Sequence, residues 1–270
     1  MRNLQRSLEL DPRNFNTLQQ IAVSYQILRR YAEMGAMLDR ELAIKPDDLE
    51  TKVARVFVDL DWKADTRPLH QMIDQIRTKD PAGLSSIANS WFTCALAERD
   101  AVAAQDAVSA LGETHLENEA VILNRPFLQG VIARMTKDDV KARAAFTAAR
   151  AEQEKTVQSQ PNYGPALCVL GLIDAGLGRK EDALREAERA VELLPVEKDS
   201  LIGAHVLEYL ARTAAWLGEK DLACEQLAIA TRVPGTVSYG QLKLLPYWDP
   251  LRDDPRFERI VASLAPKDTK

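Results

Sequence analysis

The sequence predicts an all-α fold: an array of antiparallel helix pairs wound as a right-handed α-α superhelix and closed by a proline-rich C-terminal segment. Three observations predict it. Only 12 Gly and 13 Pro occur in 270 residues, while Ala, Leu, Glu, Arg and Gln are abundant, a balance that favours helix over sandwich or barrel. The prolines are regularly spaced, with 34 residues from Pro12 to Pro46, 35 from Pro46 to Pro81 and 34 from Pro161 to Pro195. Each follows a helical pattern, because proline cannot continue a helix. Between them small and large residues return at fixed offsets, the signature of a stacked repeat.

Taken in order, residues 2–10 (RNLQRSLEL) read as the second helix of a pair whose first helix is missing, so that 1–12 form an orphan half-repeat and the chain reads as a piece of a longer protein. With Pro46 as position 32 of a 34-residue frame, Leu18, Ile21, Ala22, Tyr25, Leu38 and Glu41 fall at positions 4, 7, 8, 11, 24 and 27. The same frame on Pro195 places Leu167, Leu170, Gly171, Ala183 and Ala190 at 4, 7, 8, 20 and 27. Small residues at positions 8 and 20 let the paired helices approach, and bulky ones fill the gaps. Gly130 is followed by Ala142, Phe146 and Ala149, and Ala211 by Ala223, Leu227 and Ala230, at identical offsets of 12, 16 and 19. The matching segments AGLGRKEDAL and AWLGEKDLAC place Gly178 and Gly218, forty residues apart, at the turn inside a pair.

This pattern resembles the tetratricopeptide repeat, which implies a solenoid of about six helix pairs over 13–232, with 49–112 as degenerate copies. In that stretch 49–61, 66–78, 82–97 and 100–111 read as amphipathic helices, but Phe57 stands where a small residue is expected. A helix is expected through THLENEAVILNRPFLQGVIARM, kinked or split at Pro126, and an extended second one over KDDVKARAAFTAARAEQEKTVQSQ up to Pro161. Residues 233–270 read as a cap, with Tyr247, Trp248 and Phe257 covering the last repeat and a short helix over about 253–264. Segment 160–264, above all DPLRDDPRF, resembles the end of long bacterial signalling proteins in which a kinase, winged-helix or adenylate cyclase effector precedes the array. That resemblance implies a sensory or docking role.

Chemistry is sought and not met. The net charge of −5 gives no footprint for nucleic acid or anionic lipid. No apolar run approaches about 18 residues, the minimum for a membrane span, and the first residues carry no secretory signal. Cys94, Cys168 and Cys224 read as buried thiols of a reducing, cytoplasmic compartment. No metal-ligand spacing, cofactor motif or kinase core occurs, and GLGRK at 176–180 reads as a turn. His115 among Glu113, Glu117 and Glu119 reads as exposed, and His205 with Glu208 as a solvated pair.

The expected function is therefore non-enzymatic binding of a protein or peptide on the first helix of each pair, whose face lines the concave groove. Those positions give Asn16, Gln19, Val23 and Gln26 in the first pair. They give Asn124, Phe127 and Arg134 in the Gly130 pair, and His205, Glu208, Arg212 and Trp216 in the last. Tetratricopeptide co-chaperones hold a carboxylate with Lys and Asn at positions occupied here by Gln19 and Val23, and by Cys168 and Leu172, so that clamp is not expected. The alternative is a structural module that self-associates through the N-terminal half-repeat or packs on its own effector.

Overall fold

The computed structural model describes residues 2–112, 115–118, 120–235 and 237–267. Met1 and 268–270, at the ends of the predicted half-repeat and cap, lie outside them. The described chain is helix-rich and repeat-like. Helix α1 (Arg2–Leu10) precedes six consecutive pairs: α2 (Phe15–Ile27) with α3 (Tyr31–Ile44), α4 (Leu49–Lys63) with α5 (Arg67–Lys79), α6 (Ala88–Glu98) with α7 (Ala101–Ala110), α8 (Arg125–Met135) with α9 (Asp139–Ser159), α10 (Gly164–Gly176) with α11 (Lys180–Leu193), and α12 (Ile202–Leu217) with α13 (Lys220–Arg232). Helix α14 (Tyr239–Leu244), a 3-10 turn (Pro246–Leu251) and α15 (Pro255–Leu264) complete it.

In the last two pairs the two helices differ in burial. Every residue of α10 from Gly164 to Ala175 and of α12 from Gly203 to Trp216 is buried, whereas α11 buries only Ala183, Ala187 and Ala190. A helix buried all round lies inside; one with a single alanine stripe lies outside with its charges in water. The alanine stripe permits close packing: a Cβ on Gly171 would sit 2.8 Å from the Ala183 carbonyl oxygen. Three of the first helices, α2, α4 and α8, start on side-chain caps, with Asn14, Asp48 and Asn124 accepting from the amides of Thr17, Thr51 and Phe127.

The turn inside each pair repeats one backbone device. Arg29, Ala64, Arg99, Lys137, Gly178 and Gly218 all have positive φ, between 55° and 81°. After five of them, Arg30, Asp100, Asp138, Arg179 and Glu219 donate their amides to the carbonyl five residues earlier, closing the helix end. The first three turn residues are 35 positions apart, so the stretch 49–112 that looked degenerate in side chains is regular in backbone.

One expectation is overturned. In place of a helix before Pro126, Leu116–Asn118 (β1) and Val121–Leu123 (β2) form an antiparallel hairpin. Val121, Ile122 and Leu123 are 0%, 49% and 5% exposed, a period of two that one helix could not satisfy. Pro126 does not kink a helix but occupies the first turn of α8, where its missing N–H costs nothing.

Candidate functional site

The C-terminal segment does more than cover the last pair: it crosses to α4 and α6 as well as α12. Gly240 seats it on α4, where a Cβ would lie 1.7 Å from the Leu60 carbonyl oxygen. Asp61, buried on α4, accepts from Ser238 Oγ at 2.7 Å, Gln241 Nε2 at 3.0 Å and Gln26 Nε2 at 3.5 Å. Burial pushes the Asp61 carboxyl above its ordinary pKa against the pull of those three donors. Two turn residues supply the other fastenings. Arg29 donates to the carbonyls of Val237, Val233 and Ala230 at 2.7, 2.9 and 3.3 Å. Arg99 donates to both oxygens of Asp249 and to the Leu244 carbonyl. The string DPLRDDPRF serves the same closure: Asp249 meets Arg99 and Arg252, while Asp254 caps α15 and pairs with Arg256.

Opposite this segment, α12 presents a buried polar and aromatic cluster. Glu208 accepts from Arg212 one turn on and faces His205 at 3.5 Å. The Arg212 guanidinium carbon stands 4.5 Å from the Tyr247 ring centre, 5.1 Å from Tyr209 and 5.8 Å from Trp248. Burial works against its charge, but Glu208, Tyr209 and Tyr247 outweigh that and raise its pKa. The same burial pushes the Tyr247 phenol up to about 12 and the Tyr209 phenol well above its ordinary value. Trp216 Nε1 donates to the Tyr247 carbonyl at 3.2 Å, and the two rings stack 6.0 Å apart.

Between this cluster, α2–α4, α6, the hairpin and the C-terminal segment lies a chamber of about 490 Å³. Its apolar lining includes Val53, Phe57, Phe92 and Leu96, and its polar lining Gln26, Asn89, Ser90, Thr93, Tyr209 and Arg212. The chain matches no protein-family model and no curated protein, so the functional reading rests on this geometry.

Of the eleven residues picked from the sequence, Gln26 and Arg212 line the chamber. Asn16, Gln19 and Val23 are exposed on α2. Asn124 caps α8, donates to the Ala149 carbonyl at 3.1 Å and borders a separate cavity of about 210 Å³. Phe127 is buried 6.0 Å from Phe146, and Arg134 lies over the Trp216 ring at 4.5 Å. His205 and Glu208 are buried rather than solvated, because the C-terminal segment covers the face the frame leaves open. Sequence reasoning missed Phe57, Phe92, Asn89, Ser90 and Thr93 because the pairs that carry them had lost the repeat's side-chain pattern. The available signal was Phe57 itself, an aromatic where packing asks for a small residue.

The remaining chemistry is quiet. Burial raises all three thiols, Cys94 to about 12, which leaves them un-ionised. Among the described residues no group of three or more His, Cys, Asp or Glu could hold a metal, and no helix is long and apolar enough to cross a membrane. Glu113 and Glu119 lie outside the described residues, and His115 is exposed ahead of β1.

Proposed function

We propose that the chain is a non-enzymatic binding module of the tetratricopeptide kind, which accommodates a segment of a protein partner in the chamber. The reading rests on one observation: side chains of the array grip main-chain carbonyls of a segment laid along the inner helices. Arg29 takes Val233 and Val237, Arg99 takes Leu244, and Trp216 takes Tyr247. Contacts to carbonyls hold a chain independently of its side chains, while neighbouring pockets select them. The chamber beside the C-terminal segment offers both kinds of surface, amide and hydroxyl groups on α6 and aromatic rings from α4 and α6. The resemblance of 160–264 to bacterial signalling arrays supports reading such a module as a sensory or docking region.

Selection of a random peptide library against the full chain tests the reading. Enriched peptides are expected to bind wild type and to lose roughly fivefold in affinity on Phe57→Ala, the scale of one truncated apolar contact. A library that yields no binder, or binders indifferent to Phe57, would overturn it.

A further inference from the structure

Two hydrogen-bond donors in the chamber wall have no acceptor among the described residues: Arg212 Nε and the Tyr209 hydroxyl. Both side chains are deeply buried, at 5% and 0% exposure. Neither group sheds its proton at ordinary pH. A guanidinium stays charged, and burial holds the Tyr209 phenol neutral. Buried donors are nearly always matched in folded proteins, and an exception at a cavity wall points to a ligand that supplies the acceptor. Glu208 engages Nη2 of Arg212, so Nε is the part of the fork still to be matched. The rings of Tyr209, Tyr247 and Trp248 stand around the guanidinium and keep its plane in place.

We infer that the chamber binds a carboxylate carried on an apolar arm, with Arg212 and Tyr209 donating to the carboxylate and Phe57 and Phe92 packing against the arm. The inference rests on the chamber being a binding site, as proposed above. A monoanion fits better than a phosphate dianion, because Arg212 already shares its charge with Glu208. A chamber of about 490 Å³ has room for an arm plus head of on the order of ten to fifteen non-hydrogen atoms. That carboxylate is either a free small acid or an Asp or Glu side chain on a partner segment.

The test uses the full chain with two pairs of probes, followed by calorimetry and saturation-transfer NMR. One pair is 3-phenylpropionate against 3-phenylpropionamide; the other is acetyl-Phe-Glu-amide against acetyl-Phe-Gln-amide. In at least one pair the acid is expected to bind about tenfold more tightly than its amide, the usual margin of a charge-assisted contact. Tyr209→Phe removes only an unmatched hydroxyl, so it should leave the melting temperature unchanged or higher while weakening the acid roughly three- to tenfold. Arg212→Lys should abolish the preference for acid over amide. Equal binding of acid and amide in both pairs, binding of neither acid, or acid binding untouched by Tyr209→Phe would overturn the inference. If only the free acid binds and no library peptide does, the peptide reading falls while the carboxylate site stands. If library peptides bind without acidic preference, the opposite holds.

Discussion

Gly178 and Arg29 occupy equivalent turns of the fifth and first helix pairs, with φ of 75° and 55°. At Gly178 nothing lies within 4 Å of where a side chain would begin, and the turn does no more than reverse the chain. At Arg29 the same left-handed backbone carries a side chain that holds two carbonyls of the C-terminal segment and one at the end of α13. Arg99 repeats the arrangement two pairs after the first, fastening Asp249 and Leu244. A non-glycine residue in this region costs about 1–2 kcal/mol, so an arginine persists there when its contacts outweigh the strain. Two kinds of turn thus divide the array: those that only join helices, and those that also close it.

The largest expected effect on that division comes from Gly240→Ala. The added Cβ meets α4 backbone, which cannot yield as a flexible side chain would, and the C-terminal segment must lift; urea denaturation should show a loss of about 3 kcal/mol. Next comes the exchange of turn types. Arg29→Gly relieves strain but leaves three carbonyls unmatched, for a net loss of about 2 kcal/mol, whereas Gly178→Ala adds strain alone and should cost about 1 kcal/mol. A stabilised Arg29→Gly chain would mean that the arginine turns close nothing. The smallest effect is a pH slope. Burial pushes Glu41 up to about 7 and raises Glu186, chiefly by burial and then by the neighbouring Asp174. Since both folded-state pKa values lie above the ordinary 4.5, the folded chain binds more protons than the unfolded one. Stability should therefore be greatest below about pH 4.5 with respect to these groups and fall as pH rises towards 7. Glu41→Gln should flatten that slope in thermal melts between pH 5 and 8.

Helix pairing was legible because it depends on local signals: alanine stripes, Gly178 and Gly218 at turns, and prolines past helix ends. The hairpin at 116–123 was hidden because VIL between helices is too short to separate one period from another. The site was legible in part. Gln26 and Arg212 follow from the inner-face rule, but that rule assumes an open groove, and the fastening of residues 233–252 across it depends on contacts 145 to 208 positions apart that no local pattern encodes. Arg29, Ala64, Arg99 and Lys137 were invisible as turn residues because none is glycine.

An array of stacked pairs ordinarily needs only neighbours, and its units fray and form one by one. The bond from Arg29 to Val237 joins residues 208 positions apart and alters how this chain is built. On a ribosome the first pairs emerge long before the residues that fasten them, so these helices wait, partly uncovered, until residues 233–252 have followed. Closing so long a loop costs about 5 kcal/mol of chain entropy, which slows the last step of folding and makes the finished chain open as a unit.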